Sequence, residues 1–564
     1  MKKVLVFLLS IAFPVSVSAI PARPGQWQVL KLKDGTQVKA ELTGDEFGHF
    51  WQAANGDCYV ASSEKGVFER GDRQKIVRQA SCLRETRRQH MASLRTRAAI
   101  GGQHDPYTGK KKGLILLVDF QNMQFQDDHT WDLYNDIANK IGFSSELGFK
   151  GSVKDYFLQQ SDGLFELDFD VVGPLTMPRT YGYYGADTGG QGNDTNPGLM
   201  VATACEMADE HVNFADYDWD GDGEVDQVFV VFAGLGQAAG GDANTIWPHE
   251  WALQYSDYGN TLKLDGVTID TYACGPELTE RDTIRSNIGI EGIGTICHEF
   301  SHCLGLPDMY DTAYGGGYGM QTWDIMAHGS YNSGSFSPAA FTSYERMYCG
   351  WRQPIVLKDD TEVSGMKAVD EGGDTYIIYN DACPTEYYLL ENRQKRGWDA
   401  GVAGSGLLVI HVDYDELAWR YNFVNNFTSY PEYSNHERCT VICADNNRGA
   451  GDIGTDVYPY NDKDSLTNNS LPRAELYNLN PDGLHYTSKP VTNIRQSEEG
   501  LVSFTFRNLV RNKDNPDGIL PVREMEGADS QPVYDLQGRS IGTDTDILPK
   551  GIYIIGGKKV VKKQ

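Results

Sequence analysis

The sequence predicts an α/β domain in the middle of the chain, flanked by β-rich regions on both sides. Three observations carry this. GLILLVDF (113–120) and VFVVF (228–232) are short continuous apolar runs of the kind that form buried strands. Between them, DLYNDIANKI (132–141), SVKDYFLQQS (152–161) and GLMVATACEMADEH (198–211) read as helices, alternating with the strand-like FELDFDVVGPLTMP (165–178). Before residue 100 and after residue 350 the chain breaks into short strand-like pieces separated by turn signals.

Taken from the start, residues 1–19 (MKKVLVFLLSIAFPVSVSA) carry two lysines, an apolar run and small residues at Val17 and Ala19, the pattern of a signal peptide. No other stretch approaches the about 18 apolar residues of a membrane span, so no transmembrane anchor is expected in a secreted or cell-surface product. The net charge of −28 over 564 residues excludes nucleic acid as a natural partner, since phosphate would be repelled over most of the surface. Residues 20–100 differ: 14 Lys and Arg against 9 Asp and Glu make them +5, while residues 101–564 carry −35. A basic segment can dock electrostatically on so acidic a remainder. It ends in an Arg-rich stretch, LRETRRQHMASLRTR (83–97), and a polar loop, which suits proteolytic processing. A removable pro-segment over 20–105 and a permanent β-subdomain are both open readings. Ten cysteines in 564 residues do not make a disulfide scaffold, although Cys439 and Cys443 are close enough to bridge.

Ahead of the VFVVF run, Asp218, Asp220 and Asp222 alternate, Gly223 permits a sharp turn, and Glu224 and Asp226 follow. These fit positions 1, 3, 5, 6 and 9 of an EF-hand-type calcium loop, with Glu224 at the backbone-carbonyl position; position 12 is Phe229 instead of a bidentate Glu. Either calcium sits in a loop outside the EF-hand fold, or this is an acidic turn without an ion. The IWPHEW stretch after it, with His249 and Glu250, reads equally as a packed aromatic turn or as part of a site lining.

The stretch with the most chemistry is GTICHEFSHCLGLPDMYD, residues 294–311. His298 and His302, four apart on a helix, fall on one face about 40° apart and can share one zinc ion, with Glu299 beside it as general base. Ile293, Ile296, Phe300 and Leu304 fall on the opposite face at about 160° to 240°, so the histidines are expected to point from the main core into a cleft. Gly305 can end the helix in a left-handed turn and bring Asp308 back as third ligand, the spacing of H-E-x-x-H-x-x-G-x-x-H metzincin proteases. Asp311 competes for the same role. Met326, in WDIMAHGSY, stands where a Met-turn would floor the metal, and His328 is a candidate donor to the transition state.

HEFSHCLGLPDMYD with WDIMAHGS, the DGDGEVD loop, IWPH and the later EYYLLENRQ and GLLVIHVD together resemble the immune inhibitor A family of secreted zinc metalloproteases. The resemblance implies a metzincin-like fold over 106–350, endopeptidase activity on protein or peptide substrates, one catalytic zinc, structural calcium and an N-terminal pro-segment that inhibits its own enzyme. Two other readings stay open: a calcium-dependent surface adhesin with an inactive protease fold, and a zinc amidase acting on cell-wall peptide. Beyond the domain, residues 351–510 read as β-rich, with His411 and Asp413 as packing or loop-anchoring residues. After a polar linker, three short strands in 511–564 resemble the C-terminal sorting modules of the type IX export system.

Overall fold

A computed structural model describes residues 21–510 except 46–47, 63, 65, 81–106, 188–193, 281–287, 314–315, 428–434 and 450, and beyond them the segments 533–534, 540–542, 551–555 and 558–562. Residues 1–19, read as a signal peptide, the Arg-rich stretch 83–97 and the polar stretch after residue 510, read as a linker, lie outside the described residues. The labelled helices are α1 (Trp131–Asn139), α2 (Val153–Gln160), α3 (Tyr181–Gly185), α4 (Pro197–Ala208), α5 (Gly294–Cys303), α6 (Ser343–Tyr348) and α7 (Glu416–Arg420). Among the described residues no helix is long and apolar enough to cross a membrane. The chain divides into two compact units that interleave in sequence. The first holds the described residues of Met1–His90, Lys111–Lys140 and Leu167–Glu291, and the second those of Met91–Lys110, Ile141–Glu166 and Gly292–Gln564.

In the first unit the basic N-terminal segment forms a five-stranded antiparallel meander: β1 (Trp27–Lys31), β2 (Gln37–Asp45), β3 (Gly48–Ala53), β4 (Cys58–Ala61) and β5 (Phe68–Arg70). Its core, Leu30, Ala40, Ala53 and Tyr59, comes from inward positions of neighbouring strands. Ala22 and Leu42, with Trp51 against them, pack on Ala238 and Trp247, and the His49 ring stacks on Trp247 at 4.4 Å and 20°. Arg23 adds donors to Thr279 Oγ1 at 3.1 Å and to the Glu280 carbonyl at 3.2 Å.

The same unit contains, but for the first two residues of β6 and β7, the central sheet of β6 (Gly109–Phe120), β7 (Phe165–Met177), β8 (Val228–Leu235), β9 (His249–Ala252), β12 (Thr271–Glu280) and β13 (Ile288–Ile290), with β10 (Leu262–Leu264) and β11 (Val267–Ile269) as a separate hairpin. The order is β13-β12-β8-β6-β7; β6–β8 and β8–β12 pair in parallel, and β9 lies antiparallel on β12. Leu114, Leu116 and Val118 of β6 lie beside their register partners Val228, Val230 and Phe232 of β8 in one core with Met200, Val201, Ala204 and Cys205 of α4. Parallel strands covered by helices are buried, which is why the two runs read as continuous apolar sequence. His249 and Glu250 are buried in β9, and Trp247 lies in the cluster with Ala22, so IWPHEW leads into a packed strand.

The second unit joins α2, α5 and α6 to two sheets. One runs β14 (Ile355–Val356), β16 (Tyr376–Tyr379), β17 (Glu386–Arg393), β18 (Gly406–Asp413), β19 (Cys439–Val441); the other runs β15 (Thr361–Met366), β21 (Val502–Phe506), β20 (Val491–Gln496). Ile378, Tyr388, Leu390 and Val409 of the first meet Val363, Val502 and Phe504 of the second in one core. Arg393 is fully buried and pairs with Glu391 at 2.9 Å and with Asp399, while Glu391 also accepts the Ser343 backbone N–H at 2.5 Å, tying α6 to β17. His411 contacts Glu386 at 3.0 Å, and Asp413 accepts from Arg438 at 3.0 Å and Asn478 at 3.1 Å, so both anchor loops. At the C-terminus the structure corrects the count of three strands: β22 (Val533–Tyr534), β23 (Ser540–Gly542), β24 (Gly551–Ile555) and β25 (Lys558–Lys562) form a sheet of four. β24 and β25 pair antiparallel, Gly551 opposite Lys562 and Ile555 opposite Lys558.

All nine described cysteines are thiols, Cys439 and Cys443 included.

Candidate metal centre

Helix α5 starts where space is smallest. A Cβ on Gly294 would stand 1.9 Å from the Ser330 carbonyl oxygen, so only glycine allows the helix to pack against the 3₁₀ stretch His328–Ser335. Every residue from Gly294 to His302 is buried. The face opposite the apolar one is buried as well: His298 is 0% and His302 6% exposed.

Each imidazole is oriented through Nδ1, which contacts a backbone carbonyl: Ile325 at 2.8 Å for His298 and Leu306 at 2.8 Å for His302. With Nδ1–H donating there, the neutral ring keeps its lone pair on Nε2. After α5, Gly305 takes φ +82° and its N–H donates to the His302 carbonyl at 2.8 Å, so the chain reverses as the left-handed turn requires. That reversal brings Asp308 Oδ1 to 3.3 Å from His298 Nε2 and 3.5 Å from His302 Nε2. Ligands about 2.0–2.2 Å from one tetrahedral ion stand about 3.3–3.6 Å apart, so these separations fit a shared zinc ion. His298 Nε2 and Asp308 Oδ1 are buried without a hydrogen bond, and Glu299 offers a carboxylate oxygen within 4.8 Å of both imidazoles.

The charges agree with the geometry. Burial pulls the His298 imidazole down, yet Asp308 and Glu299 outweigh it and raise it to about 9. Burial likewise pushes Asp308 up, but His302 and His298 hold its carboxyl far below the ordinary range. The two carboxylates demand positive charge at this point. A bound cation can supply it with both imidazoles neutral.

Asp311 is engaged elsewhere. Its Oδ1 accepts from the Ala313 N–H at 3.0 Å, and its Oδ2 from Gly316 and Gly317, each at 2.9 Å. The geometry therefore favours Asp308 over Asp311 beside the histidines. Met326 is fully buried; its N–H donates to Asp324 Oδ1 at 2.7 Å, and its carbonyl accepts from Met309 at 2.7 Å. The turn matters to the site through Ile325, whose carbonyl holds His298. His328 opens the 3₁₀ stretch with its ring 6.2 Å from that of Tyr310, and burial lowers its pKa to about 4. A neutral His328 can donate one N–H.

Sequence reading missed Asn422. Its Oδ1 accepts the Asp308 N–H at 2.6 Å and its Nδ2–H donates to Asp308 Oδ2 at 2.5 Å. A separation of 114 residues and the absence of any local motif hid it.

In the first unit, Asp218, Asp220 and Asp222 bring oxygens within 4.8 Å of one another, and the last two are exposed. Asp218 accepts three backbone N–H groups, from Gly221 at 2.8 Å, Asp222 at 3.1 Å and Gly223 at 2.8 Å. Asp222 Oδ1 accepts the Glu224 N–H at 2.8 Å, and Asp226 Oδ2 the Trp219 N–H at 2.6 Å. Burial, with Asp220 and Asp218 nearby, raises Asp226 to about 7.

With that geometry in view, residues 108–353 match the sequence profile described as the immune inhibitor A peptidase M6 catalytic domain. The chain is 28% identical over 277 residues to the pre-pro-metalloprotease PrtV of Vibrio cholerae serotype O1, covering 42% of this chain and 29% of that protein. It is 30% identical over 271 residues to immune inhibitor A of Bacillus thuringiensis subsp. alesti, covering 42% of this chain and 38% of that protein. The aligned part thus spans about a third of the length of these curated relatives. The matched residues include His298, Glu299, His302, Asp308 and the acidic loop, and exclude Asn422.

Proposed function

We propose that this protein is a secreted zinc-dependent endopeptidase with a metzincin-like fold over 106–350. The observation that carries the reading is the meeting of His298 Nε2, His302 Nε2 and Asp308 Oδ1 beside Glu299, inside the residues that match a peptidase catalytic domain. His298, His302 and Asp308 would hold the metal. Zinc bound there supplies a Lewis acid that lowers the pKa of water and polarises a carbonyl. Glu299 takes the proton of the attacking water and passes it to the leaving amine, so one carboxylate serves as base and then as acid. Its burial keeps that proton from bulk solvent. His328, neutral by burial, is the proposed donor to the oxygen that gains charge.

Around this centre, the Asp218, Asp220, Asp222, Glu224 and Asp226 loop is assigned to structural calcium. Residues 1–19 are read as a signal peptide and 20–105 as an inhibitory pro-segment, a reading supported by the packing of its sheet on Trp247 and by the word "pre-pro" in the relative's name. Residues 511–564 are read as linker and sorting module, for which the short four-stranded sheet is suitable. Substrates are proteins or peptides.

The test is hydrolysis of casein by the full-length protein and by a form truncated near residue 105, with and without a zinc chelator. Chelator-sensitive cleavage that zinc restores, absent in Glu299→Ala while zinc stays bound, is expected. Cleavage by neither form favours an adhesin; cleavage confined to cell-wall peptide favours the amidase; full activity in Glu299→Ala sinks the mechanism.

A further inference from the structure

We infer that Asn422 is the positioning residue of the metal centre, and hence that the β-rich region beyond residue 353 is a working part of that centre. The inference rests on the zinc reading above and deepens it. Asn422 grips Asp308 twice, through the backbone N–H at 2.6 Å and through Oδ2 at 2.5 Å. A primary amide offers a donor and an acceptor side by side without charge, which fits an aspartate held at both its main chain and its carboxylate. With Oδ2 and the N–H fixed from behind, Oδ1 is the oxygen left turned to His298 and His302. A carboxylate whose second oxygen is held loses little rotational freedom when it ligates, and such outer partners set the affinity of the ion.

Asn422 is itself built into place. It has φ +57°, in the left-handed region that asparagine tolerates better than most residues. Helix α7 delivers it: Asp415, two residues past the end of β18, caps the helix by accepting from Leu417 and Ala418, and the Asn422 N–H donates to the Trp419 carbonyl at 3.1 Å. Its own carbonyl accepts from the Thr312 hydroxyl at 3.0 Å. Two further asparagines bind the same loop without a hydrogen bond to Asp308. Asn425 Nδ2–H donates to the Met309 carbonyl at 2.8 Å, and Asn426 Oδ1 shares the single Thr312 hydroxyl proton with the Asn422 carbonyl, at 2.7 Å, and accepts the Ala313 N–H at 3.1 Å. Asn425 is therefore an internal control: it holds the loop, not the ligand.

The experiment uses full-length protein and measures zinc affinity by competition with a chromogenic chelator, the visible spectrum of the cobalt-substituted form, and melting of the metal-free form. Asn422→Ala is expected to weaken zinc binding about 10- to 100-fold and to shift the cobalt bands. Asn425→Ala is expected to lower the melting temperature at least as much while keeping wild-type affinity and spectrum. Wild-type affinity and spectrum in Asn422→Ala overturn the inference. Equal loss of affinity in both variants overturns it too, since general loosening of the loop would then account for the effect. A wild-type protein that takes up no zinc at the histidines removes the zinc reading and this inference together.

Discussion

Asp308, in the second unit, turns one carboxylate oxygen to two imidazoles and has the other held by Asn422. Asp218, in the first, commits both oxygens to the backbone N–H groups of Gly221, Asp222 and Gly223. The first arrangement is buried and leaves aligned donor atoms facing one another, so it is costly without a cation. The second is a turn closed by its own main chain, with Asp220 and Asp222 in solvent, and it can keep its shape without an ion. A metal in the second unit is thus expected to govern chemistry, and an ion in the first to add stability.

The sharpest way to break this contrast is to remove one donor from each side. His298→Ala should lose bound zinc and at least about a thousandfold in peptidase rate, by metal analysis and casein hydrolysis. Asp220→Ala should keep both within a few-fold; equal losses in the two variants would erase the distinction. Asp311→Ala sharpens the second unit from within. It frees three backbone N–H donors and should cost about 1–3 kcal/mol of stability in thermal melts, with zinc stoichiometry unchanged. If zinc is lost there and kept in Asp308→Ala, the two aspartates exchange roles.

Saturating calcium should stabilise the wild type by about 2–3 kcal/mol, read as a rise of a few degrees in melting temperature, and should do nothing for Asp218→Ala. The first unit should also respond to acid. Burial lowers His49 to about 4, so the folded chain binds fewer protons there than the unfolded chain does. His49's contribution is complete above about pH 6.5 and is lost as pH falls towards 4, on the order of 3 kcal/mol. Protection factors of the amides in β2 and β3, which are exchange rates corrected for the intrinsic pH dependence, should fall over that window, and His49→Gln should flatten the response.

How much of this was legible in the sequence follows from distance along the chain. His298, His302 and Gly305 obey a local rule, the helical repeat and the φ +82° that ends it, and the structure brings Asp308 to them at the expected place. The acidic loop is local as well. The parallel strands announced themselves because burial on both faces removes polar residues. What tertiary contact decides was not legible: the burial of the histidine face, the engagement of Asp311 by its own loop, the interleaving of two units, and above all Asn422. Its grip on Asp308 depends on where β18 and α7 end, which no periodicity reports.

The thiol beside His298 has a consequence for the order of assembly. Cys297 is fully buried, and burial pushes its thiol well above its ordinary range, as it does for Cys349 and Cys439. Sulfur binds zinc as thiolate, so in the folded chain these atoms are poor competitors for the ion. In the unfolded chain the same sulfurs are ordinary thiols, able to capture it at the wrong place. Metal offered after folding should therefore reach the histidines, whereas metal present during refolding should lower the yield of correctly loaded protein.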